Sequence, residues 1–156
     1  MYFHPETRLF NELIAAAQRG VQITILTNGN GENAPLTHSF FGATNQKYCL
    51  KLLQLTGGNV DVFEYNEPGE TLHTKVVIID GKITIDGSHN LGYRSLEGCC
   101  DEELSVLIES EEVAKSTLAA LNIYQSKAQQ MALSSYSQTI LSQVSAHAQN
   151  LTQYLL

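Results

Sequence analysis

Four polar side chains near the middle of the chain have the types and spacing needed for chemistry at a phosphate. His73 and Lys75 are separated by one residue, and residues two apart on a strand face the same side. An imidazole can accept, donate or attack near neutral pH, and an ammonium can neutralise phosphate oxygens. Ser88 and Asn90 follow in a glycine-marked loop, where a hydroxyl and an amide can bond the same oxygens.

Each of these residues taken alone is more often structural than functional. A lone histidine on a strand usually has its ring hydrogen-bonded within the protein, and a lone lysine on a strand usually extends into solvent. Asp80-Gly81 alone usually marks only a hairpin turn. The pattern as a whole, with its fixed register, favours a site. No ligand cluster at metal spacing accompanies Cys99-Cys100, so we predict no metal and no other cofactor.

The segments around these residues alternate between helical and strand patterns, which predicts an α/β fold with a mixed β-sheet flanked by helices. Apolar residues recur at helical spacing in two segments, and β-branched runs form the strand patterns between them. The predicted helices run from Pro5 to a stop at Gly20 and over about 39–55, and the predicted strands cover 21–26, 60–65, 72–79, 83–85 and 104–108. The pair His73 and Lys75 therefore falls on a predicted strand.

The C-terminal part of the chain differs in composition. From Ser116 to Leu156, Lys127 is the only Lys, Arg, Asp or Glu. Helical spacing nevertheless continues through Met131 and again over 140–155, so we predict extra C-terminal helices that pack on the sheet or on a partner subunit. A membrane-surface helix would carry Lys or Arg where these carry Gln and Ser. We divide the chain into a catalytic half-domain, 1–110, and a C-terminal helical extension, 111–156.

Length and charge narrow the class of protein. The 156 residues suffice for one domain, and the formal net charge of −7 disfavours a non-specific nucleic-acid binder. No apolar run reaches the ~20 residues of a membrane span, and the N-terminus lacks the pattern of a secretory signal. Three cysteines do not form a disulfide framework.

The pattern His73, Lys75, Asp80, followed by Gly87, Ser88 and Asn90, resembles the HKD signature of the phospholipase D superfamily, H-x-K-x4-D and then G-S-x-N. The flanking sequence is similar to the C-terminal half of bacterial phosphatidyltransferases such as cardiolipin and phosphatidylserine synthases. The resemblance covers about 2–108 and does not extend to the tail.

The resemblance implies a metal-independent, two-step transfer of a phosphodiester through a phosphohistidine. One histidine attacks phosphorus, a second protonates the leaving alcohol, and water or another alcohol completes the reaction. It assigns catalytic roles to His73, Lys75, Asp80 and Glu103, with Asp80 orienting the site from its turn and Glu103 bonding the imidazole. Lys75, Ser88 and Asn90 would hold the phosphate. His89 occupies a variable position, and we expect it to be a bystander.

One departure from the family pattern matters for function: the chain has a single H-x-K. The resemblance implies two histidines per site, so a second motif must come from a homodimer mate or from an N-terminal half. In the family an apolar strand precedes the segment that begins here at Met1-Tyr2-Phe3, and in this sequence that strand is missing. We therefore expect a truncated or split second half. This leaves the localisation open, with a cytoplasmic or peripheral membrane location favoured and secretion compatible with a fragment.

Three functions follow, in order of preference. The first is a phospholipase D-like phosphodiesterase or phosphatidyltransferase with a phospholipid substrate. The second is a homodimeric, metal-independent phosphodiesterase or endonuclease, which the scarcity of Lys and Arg disfavours. The third is an inactive remnant or interaction module. Head group, acceptor, and hydrolysis against transfer are not encoded in the pattern.

Overall fold

The fold is α/β, as predicted. A computed structural model describes residues 3–29, 36–92, 95 and 102–134. Within these, three helices and eight strands follow one another along the chain. They are β1 (Phe3–His4), α1 (Thr7–Gln18), β2 (Ile23–Asn28), α2 (Leu36–Thr56), β3 (Val60–Tyr65), β4 (Val76–Ile79), β5 (Ile83–Gly87), β6 (Leu91–Gly92), β7 (Ser105–Glu109), α3 (Glu111–Gln125) and β8 (Gln129–Gln130).

The first half of the chain forms a parallel β2–α2–β3 unit. β2 and β3 pair in register from Ile23↔Val60 to Asn28↔Tyr65, with α2 as the crossover. The predicted strand at 21–26 starts two residues later than expected. Val21 still belongs to the turn after α1, where its N–H donates to Ala16 O, so pairing begins only at Ile23.

The second half forms an antiparallel sheet in the order β4-β5-β7. Asp80 and Gly81 have φ of 52° and 63°, and Lys82 N–H donates to Ile79 O, which defines a type I′ turn between β4 and β5. The turn prediction is therefore confirmed. The strand predicted over 72–79 is wrong in its first half, because ladder pairing begins only at Val76↔Asp86.

The C-terminal segment returns to the first sheet. α3 is capped by Ser110 and ends at Gln125, and β8 pairs antiparallel with β3 through Phe63↔Gln130. The predicted helix is confirmed over Glu111–Gln125, but its continuation through Met131 is wrong: Met131 N–H donates to Val62 O and its side chain is buried. The second predicted tail helix lies outside the described residues, and the boundary at 110 stays a prediction.

The described core lies among α1, α2 and the first sheet. It contains one residue of β1, two of α1, three of α2, two of β3 and Met131, namely Phe3, Phe10, Ala17, Cys49, Leu50, Leu52, Val60, Val62 and Met131. The edge strand β7 of the second sheet, in contrast, has exposed apolar side chains. Leu107 is 58% exposed, and Leu104, just before the strand, is 76% exposed. None of the helices in the described ranges is long and apolar enough to cross a membrane.

The close approach of β5 to β7 yields a stability prediction for Gly87. A Cβ at Gly87 would collide with Ser105 Oγ and Leu104 O, two groups of the neighbouring strand segment. Gly87→Ala should lower the free energy of unfolding by about 1–3 kcal/mol, as expected for overpacking. Urea unfolding measures it.

Gly92→Ala is the matched control, because among described residues other than its chain neighbours its Cβ would come no closer than 3.7 Å, to His4 O. It should change stability by less than about 1 kcal/mol. Equal losses in the two variants would contradict a requirement for a bare backbone at Gly87.

Candidate active site

His73 and Lys75 form a contact pair at the surface. Lys75 Nζ lies 3.2 Å from both His73 Nδ1 and His73 Nε2, and it donates to His73 O at 2.8 Å. The two residues precede β4 rather than lying on it, yet their side chains meet as the alternation predicted. An exposed imidazole beside an ammonium can hold a phosphate oxygen on one group while the other transfers a proton or attacks.

Desolvation perturbs the charge of Lys75. Its partial burial lowers the pKa of the ammonium below its ordinary value of 10.5, while the nearby charge of Glu103 raises it and so opposes the shift. Glu103 was predicted to bond the imidazole of the site. The structure places its charge close enough to act on Lys75, and its contact with His73 stays a prediction.

The loop after β5 is tied to both neighbouring segments. Gly87 N–H donates to Lys75 O at 3.3 Å, which joins this loop to the His73 segment. Ser88 makes three hydrogen bonds to the backbone of Leu104. Its N–H and its Oγ–H both donate to Leu104 O, and Leu104 N–H donates to Ser88 Oγ. Ser88 therefore anchors the loop to β7, a role the sequence did not reveal, and its phosphate contact stays a prediction.

His89 has a specific partner. Its Nδ1 lies 2.6 Å from Ser105 Oγ at the start of β7, so the ring is held against the second sheet. The sequence predicted that His89 is a bystander. In the structure its contact with Ser105 helps to hold the loop after β5 against β7. No catalytic role follows from it.

Asn90 carries an amide oxygen that is enclosed by protein. Within the described part of the chain, Asn90 Oδ1 accepts no hydrogen bond. An enclosed acceptor without a donor costs about 1–3 kcal/mol. A phosphate oxygen is itself an acceptor and cannot satisfy Oδ1, so the binding of a phosphate oxygen by the amide Nδ2 stays a prediction.

Asp80 is not brought to the other site residues. It lies at the turn end of β4, whereas His73 and Lys75 precede the opposite end of the strand. The four strand residues between Lys75 and Asp80 make five residue steps, which correspond to about 17 Å along the strand. The structure therefore shows Asp80 as the turn residue with left-handed φ, which fits orientation of the hairpin and not contact with substrate. In the described ranges, no three His, Cys, Asp or Glu side chains group as metal ligands.

The sequence did not identify two buried asparagines near the site, Asn28 and Asn45. Asn28, at the end of β2, bonds the backbone of Leu72, and Asn45, within α2, bonds β1 and the end of β2. One signal was available for Asn45: it shares a helix face with the buried Cys49 and Leu52. A polar residue on an apolar stripe indicates a buried hydrogen-bond network.

The fold and the arrangement of His73, Lys75, Gly87 and Asn90 define a phospholipase D-like domain. The family model "Cardiolipin synthase, PLD-like domain" matches residues 1–123. The chain belongs to this family.

Curated relatives agree with this assignment. Cardiolipin synthase A of Shigella dysenteriae is 32% identical over 95 residues, which is 61% of this chain and 18% of the relative. Cardiolipin synthase A of Klebsiella pneumoniae is 30% identical over the same shares. The matched part of the chain thus spans about a fifth of the length of these relatives.

Solved structures share the fold. Phosphatidylserine synthase of Haemophilus influenzae superposes with a TM-score of 0.67 and 15% identity, over 99% of this chain and 39% of that one. Nuc of Salmonella typhimurium, a phospholipase D family member, gives 0.63 and 18% identity, over 83% and 77%. NucT of Helicobacter pylori gives 0.60 and 16% identity, over 82% and 77%.

The opposing influences on Lys75 yield a prediction for the pH dependence of activity. Glu103→Gln removes the charge that raises the pKa of Lys75, so the ammonium should lose its proton at lower pH. The alkaline limb of the pH–rate profile should therefore move to lower pH. Turnover of a phosphodiester measured across the alkaline range tests this.

Glu102→Gln is the control. It removes an equal charge from the neighbouring residue, whose side chain is exposed. It should leave the alkaline limb in place. An equal displacement in both variants would show a general effect of net charge, and no displacement in Glu103→Gln would contradict the coupling to Lys75.

Proposed function

We propose that this chain contributes one half of a phospholipase D-like active site that transfers or hydrolyses a phosphodiester of a phospholipid. The observation that carries the proposal is the contact of Lys75 Nζ with both ring nitrogens of His73 at the surface. The family membership and the cardiolipin synthase relatives support a phospholipid substrate. The net charge of −7 supports it over a nucleic acid.

The proposed reaction needs two imidazoles. In the first step an imidazole nitrogen forms a bond to phosphorus, the bond to the leaving oxygen breaks, and the second imidazole gives that oxygen a proton. In the second step water or an alcohol attacks phosphorus, gives its proton to the second imidazole, and releases the first. Lys75 and Asn90 stabilise the charge that develops on the non-bridging oxygens. His73 can serve in either histidine role.

A second domain of the same kind is the proposed source of the other imidazole. Two exposed apolar residues mark this edge: Leu107 lies on β7, and Leu104 lies just before it. Ser88 of the site loop bonds the backbone of Leu104. An apolar edge strand next to an incomplete site is the surface that such a domain would cover. The companion is a second copy of the chain or an N-terminal half with its own H-x-K.

The alternative is a homodimeric, metal-independent phosphodiesterase or endonuclease. One observation favours it: the similarity to Nuc covers 77% of that chain, so the two are of comparable size. The acidic charge disfavours it, because a nucleic-acid substrate needs a basic surface. The substrate comparison below separates the two.

The first prediction concerns Lys75. Lys75→Ala should lower turnover of fluorescent phosphatidylglycerol about 100- to 1,000-fold, because a preorganised donor to the phosphate is lost. His73→Ala should abolish turnover. Assays in EDTA on lipid vesicles, on bis(p-nitrophenyl) phosphate and on DNA measure all three substrates in parallel.

Lys82→Ala serves as the control, since Lys82 is an exposed lysine at the other end of the hairpin. It should keep wild-type turnover. Near-normal rates in Lys75→Ala would contradict the phosphate-holding role. DNA cleavage that His73→Ala abolishes, without lipid turnover, would favour the alternative. Inactivity of an assembled chain on all three substrates would favour an inactive module.

The second prediction concerns the companion domain. Leu107→Glu should weaken association of the chain with its companion and lower turnover at a fixed concentration, because a charge would be buried at the interface. Ile123→Glu, at a site 62% exposed on α3, should change neither. Sedimentation velocity and turnover across a range of chain concentrations provide the measurement. Equal effects of both variants would contradict docking on β7.

A further inference from the structure

The segment that carries His73 lies outside the regular sheet pairing, so another interaction must hold it. β4 begins at Val76, and its first ladder pair is Val76↔Asp86. Residues 71–75 have no regular secondary structure, yet Leu72 is buried. Buried backbone N–H and C=O groups are nearly always hydrogen-bonded, which makes the partner of Leu72 informative.

Both backbone groups of Leu72 bond to the side chain of Asn28, the last residue of β2. Leu72 N–H donates to Asn28 Oδ1 at 2.9 Å, and Asn28 Nδ2 donates to Leu72 O at 2.9 Å. The side-chain amide thus reproduces the two reciprocal bonds of an antiparallel bridge. This contact fixes the residue immediately before His73 to the end of the first sheet.

Asn45 holds the backbone of Asn28 in place. Its Nδ2 donates to Asn28 O at 2.9 Å and lies 3.0 Å from Thr27 Oγ1, while its Oδ1 accepts from Phe3 N–H at 2.8 Å. Phe3 in turn pairs with Leu91, the residue after Asn90. Asn45 is fully buried, so this network is rigid and links both motif segments.

We propose that Asn28 is a positioning residue for His73, a role that rests on the proposed phosphodiester chemistry. It sets the backbone from which the imidazole projects, and it does so in place of the sheet ladder that this segment lacks. Asn45 supports it through the network above. A displacement of about 1 Å at a reacting group can cost about 100-fold in rate, so the loss of this anchor should act on kcat.

Asn28→Asp tests the role with little change in shape. The carboxylate keeps the acceptor for Leu72 N–H but loses the donor to Leu72 O, and it sets a negative oxygen against that carbonyl. We expect kcat on bis(p-nitrophenyl) phosphate to fall about 10- to 100-fold near neutral pH, with KM within about twofold of wild type. The protonated carboxyl can donate again, so the ratio of variant to wild-type kcat should rise from about pH 8 to about pH 5.

Two further variants keep the test decisive. Asn28→Ser, which is too short to reach both groups of Leu72, should show the same loss of kcat without the recovery in acid. Asn59→Asp is the matched control, because Asn59 Nδ2 donates to a backbone oxygen, Ala17 O, at 2.9 Å and away from the site. It should lower the melting temperature without lowering kcat. If Asn28→Asp does not fold, Asn28→Ser alone carries the kcat comparison.

The outcomes separate this role from the proposed function. Wild-type kcat in Asn28→Asp, or a loss equal to that in Asn59→Asp, overturns the positioning role and leaves the function intact. A wild-type chain without turnover contradicts the function instead. In that case NMR decides: faster exchange of the Leu72 amide and an altered His73 ring resonance in Asn28→Asp support the anchor, and unchanged signals overturn it.

Discussion

The pair of hydrogen bonds between the Asn28 amide and the Leu72 backbone is the constraint on which the site depends. Leu72 is buried where the sheet ladder has not yet begun, so without Asn28 its N–H and C=O would each remain unsatisfied at a cost of about 1–3 kcal/mol. The bonds join the first sheet, which packs with α1 and α2 around the described core, to the segment that presents His73 and Lys75. On the other side, Gly87 N–H bonds Lys75 O and ties the same segment to the loop of Asn90. The site is therefore held between two sheets, with one clamp made by a side chain and the other by the backbone.

This construction leaves the chemical groups open to an incoming partner. His73 is exposed and contacts Lys75, so a phosphate can reach the imidazole and the ammonium together from the surface. The edge strand β7, beside the same loop, carries exposed apolar side chains instead of packing them into the core. The proposed chemistry uses two imidazoles, and the proposed second domain would cover this edge. Family membership, the exposed site and the apolar edge support that proposal.

The sequence predicted the α/β class, the hairpin turn at Asp80-Gly81 and the meeting of His73 with Lys75, because each depends on local periodicity or turn chemistry. It failed where long-range pairing decides. The apolar run 72–79 looked like one strand, but only Val76–Ile79 finds a ladder partner. Met131 fitted a helical stripe, yet it follows a strand added to β3. Asn28 lies just after the predicted strand 21–26 and carries no local signal, since the partner that makes it important, Leu72, is 44 positions away.

Phosphate binding by the His73–Lys75 pair is the central claim, and an NMR titration of the chain with inorganic phosphate tests it most directly. The His73 ring resonances and the Lys75 side-chain resonances should shift together along one saturation curve. The Lys82 resonances should stay in place, and the shift at His73 should disappear in Lys75→Ala. Independent curves for the two residues, or shifts centred on another part of the surface, would contradict the claim.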